Sequence, residues 1–312
     1  MIVTVTLNPA LDLTYAVDAL VPHGTHRVAR VAERPGGKGV NVARVLHALG
    51  EPVMATGLLG GLTGSRVEEL LTAEGVRSSF VRIAGETRRT VAVVDRTDAT
   101  GFWEPGPPVT PAEWSLFVAE FRELLGPATV VTLSGSLPQG LRTDAYATLI
   151  ALASASGVPT VLDTSGPALL AGLHAGPSLA KPNTDELAAL VSRAPGPLGL
   201  AEAVRGLVTR PVVVSRGAAG LLAVTPDEVW ECAPPVLVEG NPTGAGDACV
   251  AALARGLRDH VPWPDLLPDA VALAAAAVAA PVAGAFDPDV YRRTRAVSAV
   301  SVPGGCRAGT HR

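Results

Sequence analysis

The stretch Asn241-Pro242-Thr243-Gly244-Ala245-Gly246-Asp247 decides how the rest of the chain is read. It follows an apolar segment at residues 234–238. After it, Cys249, Leu253 and Leu257 share one side while Arg255, Arg258 and Asp259 are polar. That spacing is helical, so the glycines sit where a loop turns into a helix. A helix N-terminus offers unpaired backbone N–H groups and a partial positive charge, and small residues let an anion approach. Asp247 falls in the first turn, beside this anion hole. An anion cradle next to a carboxylate suits a reaction in which a hydroxyl loses its proton as it attacks phosphorus. A tight turn followed by a dipole-stabilising Asp is the plainer reading of the same seven residues.

Upstream, strand and helix alternate. Residues 129–133, 158–162 and 212–215 read as buried strands. Residues 111–125, with Thr110 as N-cap, and 143–156 read as helices. This rhythm predicts a mostly parallel sheet with helices on both faces. Each strand is followed by a polar cluster: Ser134-Gly135-Ser136-Leu137-Pro138, Asp163-Thr164-Ser165-Gly166, Lys181-Pro182-Asn183-Thr184-Asp185-Glu186 and Arg216-Gly217. Ligands of open α/β sheets collect at the carboxyl ends of strands, so these clusters mark one functional edge.

The N-terminal part fits the same edge. Residues 2–7 form a β-branched strand that exits into Asn8-Pro9-Ala10-Leu11-Asp12. Asp12 is a candidate acceptor for sugar hydroxyls, although a loop carboxylate that caps backbone N–H groups is simpler. Residues 13–34 read as short strands exposed on one face. Then Gly36-Gly37-Lys38-Gly39 enters a helix with Val42, Val45, Leu46 and Leu49 at helical spacing. It is not a Walker A loop. It reads as a backbone nest, with Lys38 pointed at a ligand and Asn41 in the first turn. Residues 53–59 are a strand. Residues 57–64 lack the dinucleotide fingerprint and read as a turn before a helix at 65–74. Residues 80–83 and 90–95 read as strands around Thr87-Arg88-Arg89, with the irregular β character of 13–34, and residues 101–108 close this region. Two β segments flanking a βα unit predict a small sheet inserted into a larger domain.

Composition sets limits. The 312 residues are 48 % hydrophobic and 17 % charged, with a formal net charge of −4, so neither nucleic acid nor an anionic membrane is called for. The three cysteines, Cys232, Cys249 and Cys306, form no CxxC, which points away from disulfide frameworks and zinc. The start lacks an export signal, and a reducing, cytoplasmic setting is expected. The apolar run at 270–280 is short and mostly alanine, hence a buried helix. The tail from about Ser301 has no apolar period and is expected to be mobile.

The motifs at residues 6–12, 36–43, 134–138, 181–186 and 244–247, in this order, resemble those of the PfkB branch of the ribokinase-like carbohydrate kinases. The resemblance covers the chain to about residue 295. The opening motif and the Gly-Gly-Lys-Gly loop are most similar to the sugar-phosphate kinases, 1-phosphofructokinase and tagatose-6-phosphate kinase. It implies a large α/β domain of residues 1–12, 37–86 and 108–300 and a β lid of residues 13–36 and 87–107, which often pairs with a second subunit's lid. It implies Asp247 as general base and the N–H groups of Gly244, Ala245 and Gly246 as anion hole. Asp12, Gly37 and Asn41 would hold the sugar. Lys38, Arg88, Arg27 and Ser136 would meet its phosphate. Asn183 and Glu186 would organise Mg²⁺ through water, and Lys181, Ser215, Gly217 and Gly220 would lie along ATP.

Three residues depart from the pattern: Trp103 before Glu-Pro-Gly-Pro, Thr90 two residues after the lid arginine, and Gly101. They leave the sugar open. Fructose 1-phosphate leads. Tagatose 6-phosphate, fructose 6-phosphate and an unphosphorylated sugar or nucleoside are alternatives. A non-catalytic sugar-phosphate sensor is the rival from another class, and an NAD-dependent oxidoreductase is more distant.

Overall fold

A computed structural model describes residues 1–190, 196–207 and 210–301. In chain order its elements are β1 (Ile2–Thr6), β2 (Ala10–Ala16), β3 (Arg30–Gly36), α1 (Lys38–Ala48), β4 (Val53–Gly60), α2 (Gly61–Ala73), β5 (Ser78–Ile83), β6 (Arg88–Val94), β7 (Ala99–Trp103), α3 (Pro111–Leu125), β8 (Val130–Ser134), α4 (Ala145–Ala155) and β9 (Thr160–Asp163). There follow α5 (Gly166–His174), β10 (Leu179–Ala180), α6 (Thr184–Ala188), α7 (Gly196–Leu207), β11 (Val212–Ser215), β12 (Leu221–Val224), β13 (Val229–Cys232), α8 (Ala245–Arg258), α9 (Trp263–Val278), α10 (Pro288–Val297) and β14 (Val300–Ser301). No helix among the described residues is long and apolar enough to cross a membrane.

The large sheet has ten strands in the order β14-β13-β12-β11-β10-β9-β8-β1-β4-β5. From β5 to β11 every neighbour is parallel, and β12, β13 and β14 add an antiparallel edge. This is the wound α/β fold that the alternating pattern predicts. Side chains alternate between sheet faces, and two cores result. On one face Ile2, Val130, Val161 and Val213 pack with α1, α2, α8 and α9. On the other Val3, Val5, Leu133 and Val214 pack with α3, α4 and α5. Helix α3 is started by a reciprocal cap: the Thr110 hydroxyl accepts the Glu113 N–H, and the Glu113 carboxylate accepts the Thr110 N–H.

A second sheet, β3-β2-β6-β7, stands apart. Its register aligns Asp12 with Arg34 on one side and Thr90 on the other, and Thr90 with Trp103.

The structure corrects several sequence expectations. Strand β2 begins at Ala10, so the small sheet takes in residues assigned to the large domain. Strand β5 pairs with β4 in the large sheet, and its irregular pattern reflects its place at the sheet edge. Within the segment 101–108 expected to close this region, residues 101–103 are strand and belong to β7. Helix α2 starts at Gly61 rather than Ser65, because the Glu86 carboxylate, remote in sequence, accepts the Thr63 N–H at 2.6 Å. The apolar segment 234–238 is not wholly buried, for Val236 and Leu237 are exposed. Helix α5 and the hairpin β12–β13 went unread. Ser301 belongs to β14, and the rest of the expected tail lies outside the described residues.

Candidate active site

The carboxyl ends of β1, β8, β9 and β10, the N-terminal tips of α1 and α8, and the base of the small sheet converge. Gly244 caps α8 with φ 91°, a conformation that glycine adopts without a Cβ penalty. A Cβ there would also lie 2.8 Å from the Ala283 Cα. Of the three amides expected to form the anion hole, that of Ala245 donates to the Pro242 carbonyl at 3.2 Å. Those of Gly244 and Gly246 have no acceptor among the described residues, and neither has that of Asp247. Gly244, Ala245 and Gly246 are all partly exposed.

Asp247 is 6 % exposed. Its Oδ2 accepts the Asn41 Nδ2 proton at 2.8 Å, and its Oδ1 has no hydrogen-bond partner among the described residues and is not enclosed by them. Burial, then the charge of Asp163, pushes its pKa up to about 7, against the pull of the Asn41 hydrogen bond, Lys38 and Lys181. A buried carboxylate poised near neutrality is suited to general-base work.

Asp163 joins this cluster, and sequence reasoning did not single it out. It is 1 % exposed, and its Oδ1 lies 3.3 Å from the Lys38 Nζ and 3.4 Å from the Lys181 Nζ. Its Oδ2 is buried without a hydrogen-bond partner among the described residues. Lys38, expected at the sugar's phosphate, is instead turned toward Asp163, with Glu186 Oε1 at 3.9 Å. Lys181 is buried against the α8 tip: a Cβ on Gly246 would lie 3.6 Å from its Nζ. Burial disfavours its charge, but Asp163 and the other nearby anions outweigh burial and hold its pKa above the ordinary value.

The glycines of residues 36–39 serve packing as well as ligand access. Gly37 caps α1 with φ 103°. A Cβ on Gly39 would lie 2.4 Å from the Thr6 Oγ1 and 2.6 Å from the Val5 carbonyl oxygen, so α1 can rest on β1 only with glycine there. A Cβ on Gly36 would land 2.1 Å from the Asp12 carboxylate.

At the small-sheet end, burial raises the Asp12 pKa, opposed by the Thr90 hydrogen bond and by Arg88 and Arg44. The Thr90 hydroxyl donates to Asp12 Oδ1, so one departing residue positions a predicted sugar ligand. The second, Trp103, stands opposite Thr90 and lies over the third, Gly101, where a Cβ would meet its ring at 2.9 Å. Arg88 is half-buried and donates to the carbonyls of Asn8 at 3.1 Å and Glu104 at 3.3 Å. Asn8, also missed, donates through Nδ2 to Ser136 Oγ at 3.2 Å and to the Pro105 carbonyl at 3.1 Å, tying the β1 exit to the segment that follows β7. Arg27 is not brought to this cluster. It is exposed and lies beyond the Ala16 end of β2, six residues and thus roughly 20 Å from Ala10.

At the opposite end, Asn183 is the N-cap of α6. Its Oδ1 accepts the Glu186 N–H at 2.7 Å, and Glu186 Oε2 accepts the Asn183 N–H at 2.8 Å. That cap occupies the Asn183 oxygen expected to face a metal and leaves Glu186 Oε1 toward the cluster. Ser215 bridges to Asn183. Gly217, at φ 57°, faces open space, whereas a Cβ on Gly220 would strike the Cys232 carbonyl at 2.1 Å. Gly220 therefore answers to the β11–β12 turn.

The fold defines a class of protein, a phosphotransferase that acts on an alcohol group of a sugar. A model of the pfkB family carbohydrate kinases matches residues 5–289, and the chain belongs to that family. It is similar to phosphofructokinase-2 from Escherichia coli in complex with fructose-6-phosphate: 30 % identity, 95 % of this chain and 98 % of that chain covered, TM-score 0.87. The tetrameric inhibited form of the same enzyme gives the same four values. A protein from Thermotoga maritima described as a possible 1-phosphofructokinase shares 27 % identity over 97 % of this chain and 99 % of that one, with TM-score 0.87.

Proposed function

We propose that this kinase transfers the γ-phosphoryl group of ATP to a ketohexose monophosphate, converting fructose 1-phosphate to fructose 1,6-bisphosphate. The observation that carries the reading is the pairing of Asp247, poised near pH 7 beside unbonded amides, with a lid base that offers Arg88 next to Asp12. Asp12 and Asn41 hold the sugar hydroxyls, and Gly37 lets the sugar approach α1. Arg88 and Ser136 meet the phosphate already present. Asp247 Oδ1 takes the acceptor hydroxyl's proton while the amides of Gly246 and Gly244 receive the transferring phosphoryl oxygens. Lys38 and Lys181 offset the charge that gathers there, as positioned cations do in phosphoryl transfer. Lys181, Ser215 and Gly217 line the nucleotide.

The donor set fits Mg²⁺. Asp163 Oδ2, without a hydrogen-bond partner among the described residues, and Glu186 Oε1, 3.9 Å from the Lys38 Nζ, would supply oxygens of the kind a hydrated Mg²⁺ accepts. The ion would offset charge on the ATP phosphates. The small sheet serves as a lid that excludes water. Its exposed Val31, Phe102 and Trp103 would be covered by pairing with the lid of a second copy. Fructose 6-phosphate is the second reading, favoured by the complex of the Escherichia coli relative with that sugar.

A coupled ADP-release assay over hexoses and hexose phosphates with Mg-ATP tests this. Fructose 1-phosphate is expected to give the highest kcat/KM; turnover on free sugars alone would sink the sugar-phosphate assignment. Arg88→Lys is expected chiefly to raise the sugar-phosphate KM, since an ammonium cannot copy a two-armed guanidinium contact. An unchanged KM removes Arg88 from the site.

A further inference from the structure

Arg44 lies one turn beyond Asn41 on α1 and is 7 % exposed; its hydrogen bonds go to none of the groups placed on substrate, and only its charge reaches Asp12. Its Nε and Nη2 donate to the two carboxylate oxygens of Glu74 at 2.6 and 3.0 Å, and its Nη1 donates to the Ala283 carbonyl at 2.8 Å. Ala283 is the residue against which Gly244 is pressed, where even a methyl group would collide at 2.8 Å. The next residue, Gly284, has φ 75°, and a Cβ there would lie 2.4 Å from Arg44 Nη1 and 3.0 Å from Asn41 Oδ1. The loop between α9 and α10 is tied at its ends as well: Asn241 N–H bonds to the Val278 carbonyl at 2.9 Å and Asp287 N–H to the Ala276 carbonyl at 3.0 Å. One turn of α1 thus grips the α8 tip twice. Asn41 holds the Asp247 carboxylate, and Arg44 holds the backbone behind Gly244.

We infer that Arg44 is a positioning residue for phosphoryl transfer: it fixes residues 283–284 behind Gly244 and so sets the aim of the α8 amides beside Asp247. A guanidinium suits this role because three of its protons are held in a rigid fork between two partners on different elements. Donors aimed at developing charge lose their effect when misdirected, and loss of a single such donor costs about 10²–10³ in kcat. The inference rests on the kinase reading of Asp247 and the α8 tip.

The test compares Arg44→Met, Arg44→Lys and Glu74→Gln with the wild type, using Mg-ATP and fructose 1-phosphate, or whichever member of the sugar panel the wild type turns over fastest. Arg44→Met is expected to lower kcat about 10- to 100-fold, with a much smaller rise in the sugar KM, because Gly37 and Arg88 are untouched and Asp12 loses only the weakest of the pulls on its carboxyl. Arg44→Lys should recover part of kcat, since one ammonium can still reach the Ala283 carbonyl. Glu74→Gln, at the outer end of the same contact, should cost a few-fold in kcat. A folded Arg44→Met enzyme with kcat within twofold of wild type overturns the inference, as does a KM rise that tracks lost thermal stability. Should Arg44→Met fail to fold, an unchanged kcat in Glu74→Gln overturns it. A wild type without turnover on any member of the panel would strike the kinase reading itself.

Discussion

Asp247→Asn is expected to keep the fold and both substrate affinities while kcat falls about 10²–10⁴-fold, the usual contribution of a positioned base. Asparagine keeps an oxygen for the Asn41 Nδ2 proton, so the α1–α8 contact survives. In the wild type the base must be deprotonated. With its pKa near 7, the rate should rise about tenfold per pH unit below 7 and level off above it. The same shift has a consequence for stability. Burial raises this acid from 3.8 to about 7 on folding, so its contribution favours the folded state at low pH. That contribution is lost as pH rises from 3.8 through 7. Above pH 7 the wild type therefore holds a destabilising buried charge that asparagine lacks. Asp247→Asn should melt higher than the wild type at pH 8 and close to it at pH 4. A variant with near-normal kcat, or a rate profile flat between pH 6 and 8, would remove Asp247 as the base.

Much of the fold was legible because the βα rhythm is written in apolar runs whose burial is nearly complete. Strands β1, β8, β9 and β11 and helices α3, α8 and α9 follow from that pattern. The small sheet was legible only in outline. Its strands are half-exposed, so alternation is weak, and β7 is built on a segment whose Gly101 reads as a turn. Helix α2 was misplaced because its start depends on Glu86, a partner 23 residues away along the chain from Thr63. The placement of Asp247 in the first turn of α8 and of Gly37 at the start of α1 could be read because loop-to-helix glycines leave a local signature. Asp163 left the same strand-exit signal as Asp12, yet nothing local showed that two lysines would converge on it. Thr90 and Arg44 act through partners that only the tertiary fold supplies. Lys38 shows the limit most clearly: its place in the glycine loop was evident, but the carboxylates of β9 and α6 decide where its ammonium points.

The Asp163 cluster yields the other large effect. Asp163→Asn removes the carboxylate that faces Lys181, whose side chain is 4 % exposed. Removing one partner of a buried pair leaves an uncompensated charge and costs about 3–5 kcal/mol. For a chain of this size that corresponds to a melting temperature lower by roughly 10 °C. The double variant Asp163→Asn/Lys181→Met should regain much of this loss, because the two sites are coupled and the orphaned charge is gone. On the proposed function it should not regain activity, since both groups lie beside Asp247 and the α8 tip. A third readout separates the electrostatic role from a packing role. Burial is the first cause of the raised Asp247 pKa and Asp163 the next, and both lysines, freed from Asp163, would act on Asp247 more strongly. The residual activity of Asp163→Asn should therefore have its acid limb below pH 7, shifted toward the ordinary carboxylate range. A limb that stays at 7, in a variant as stable as the wild type, would mean that Asp163 is neither the counter-charge of Lys181 nor a neighbour of the base.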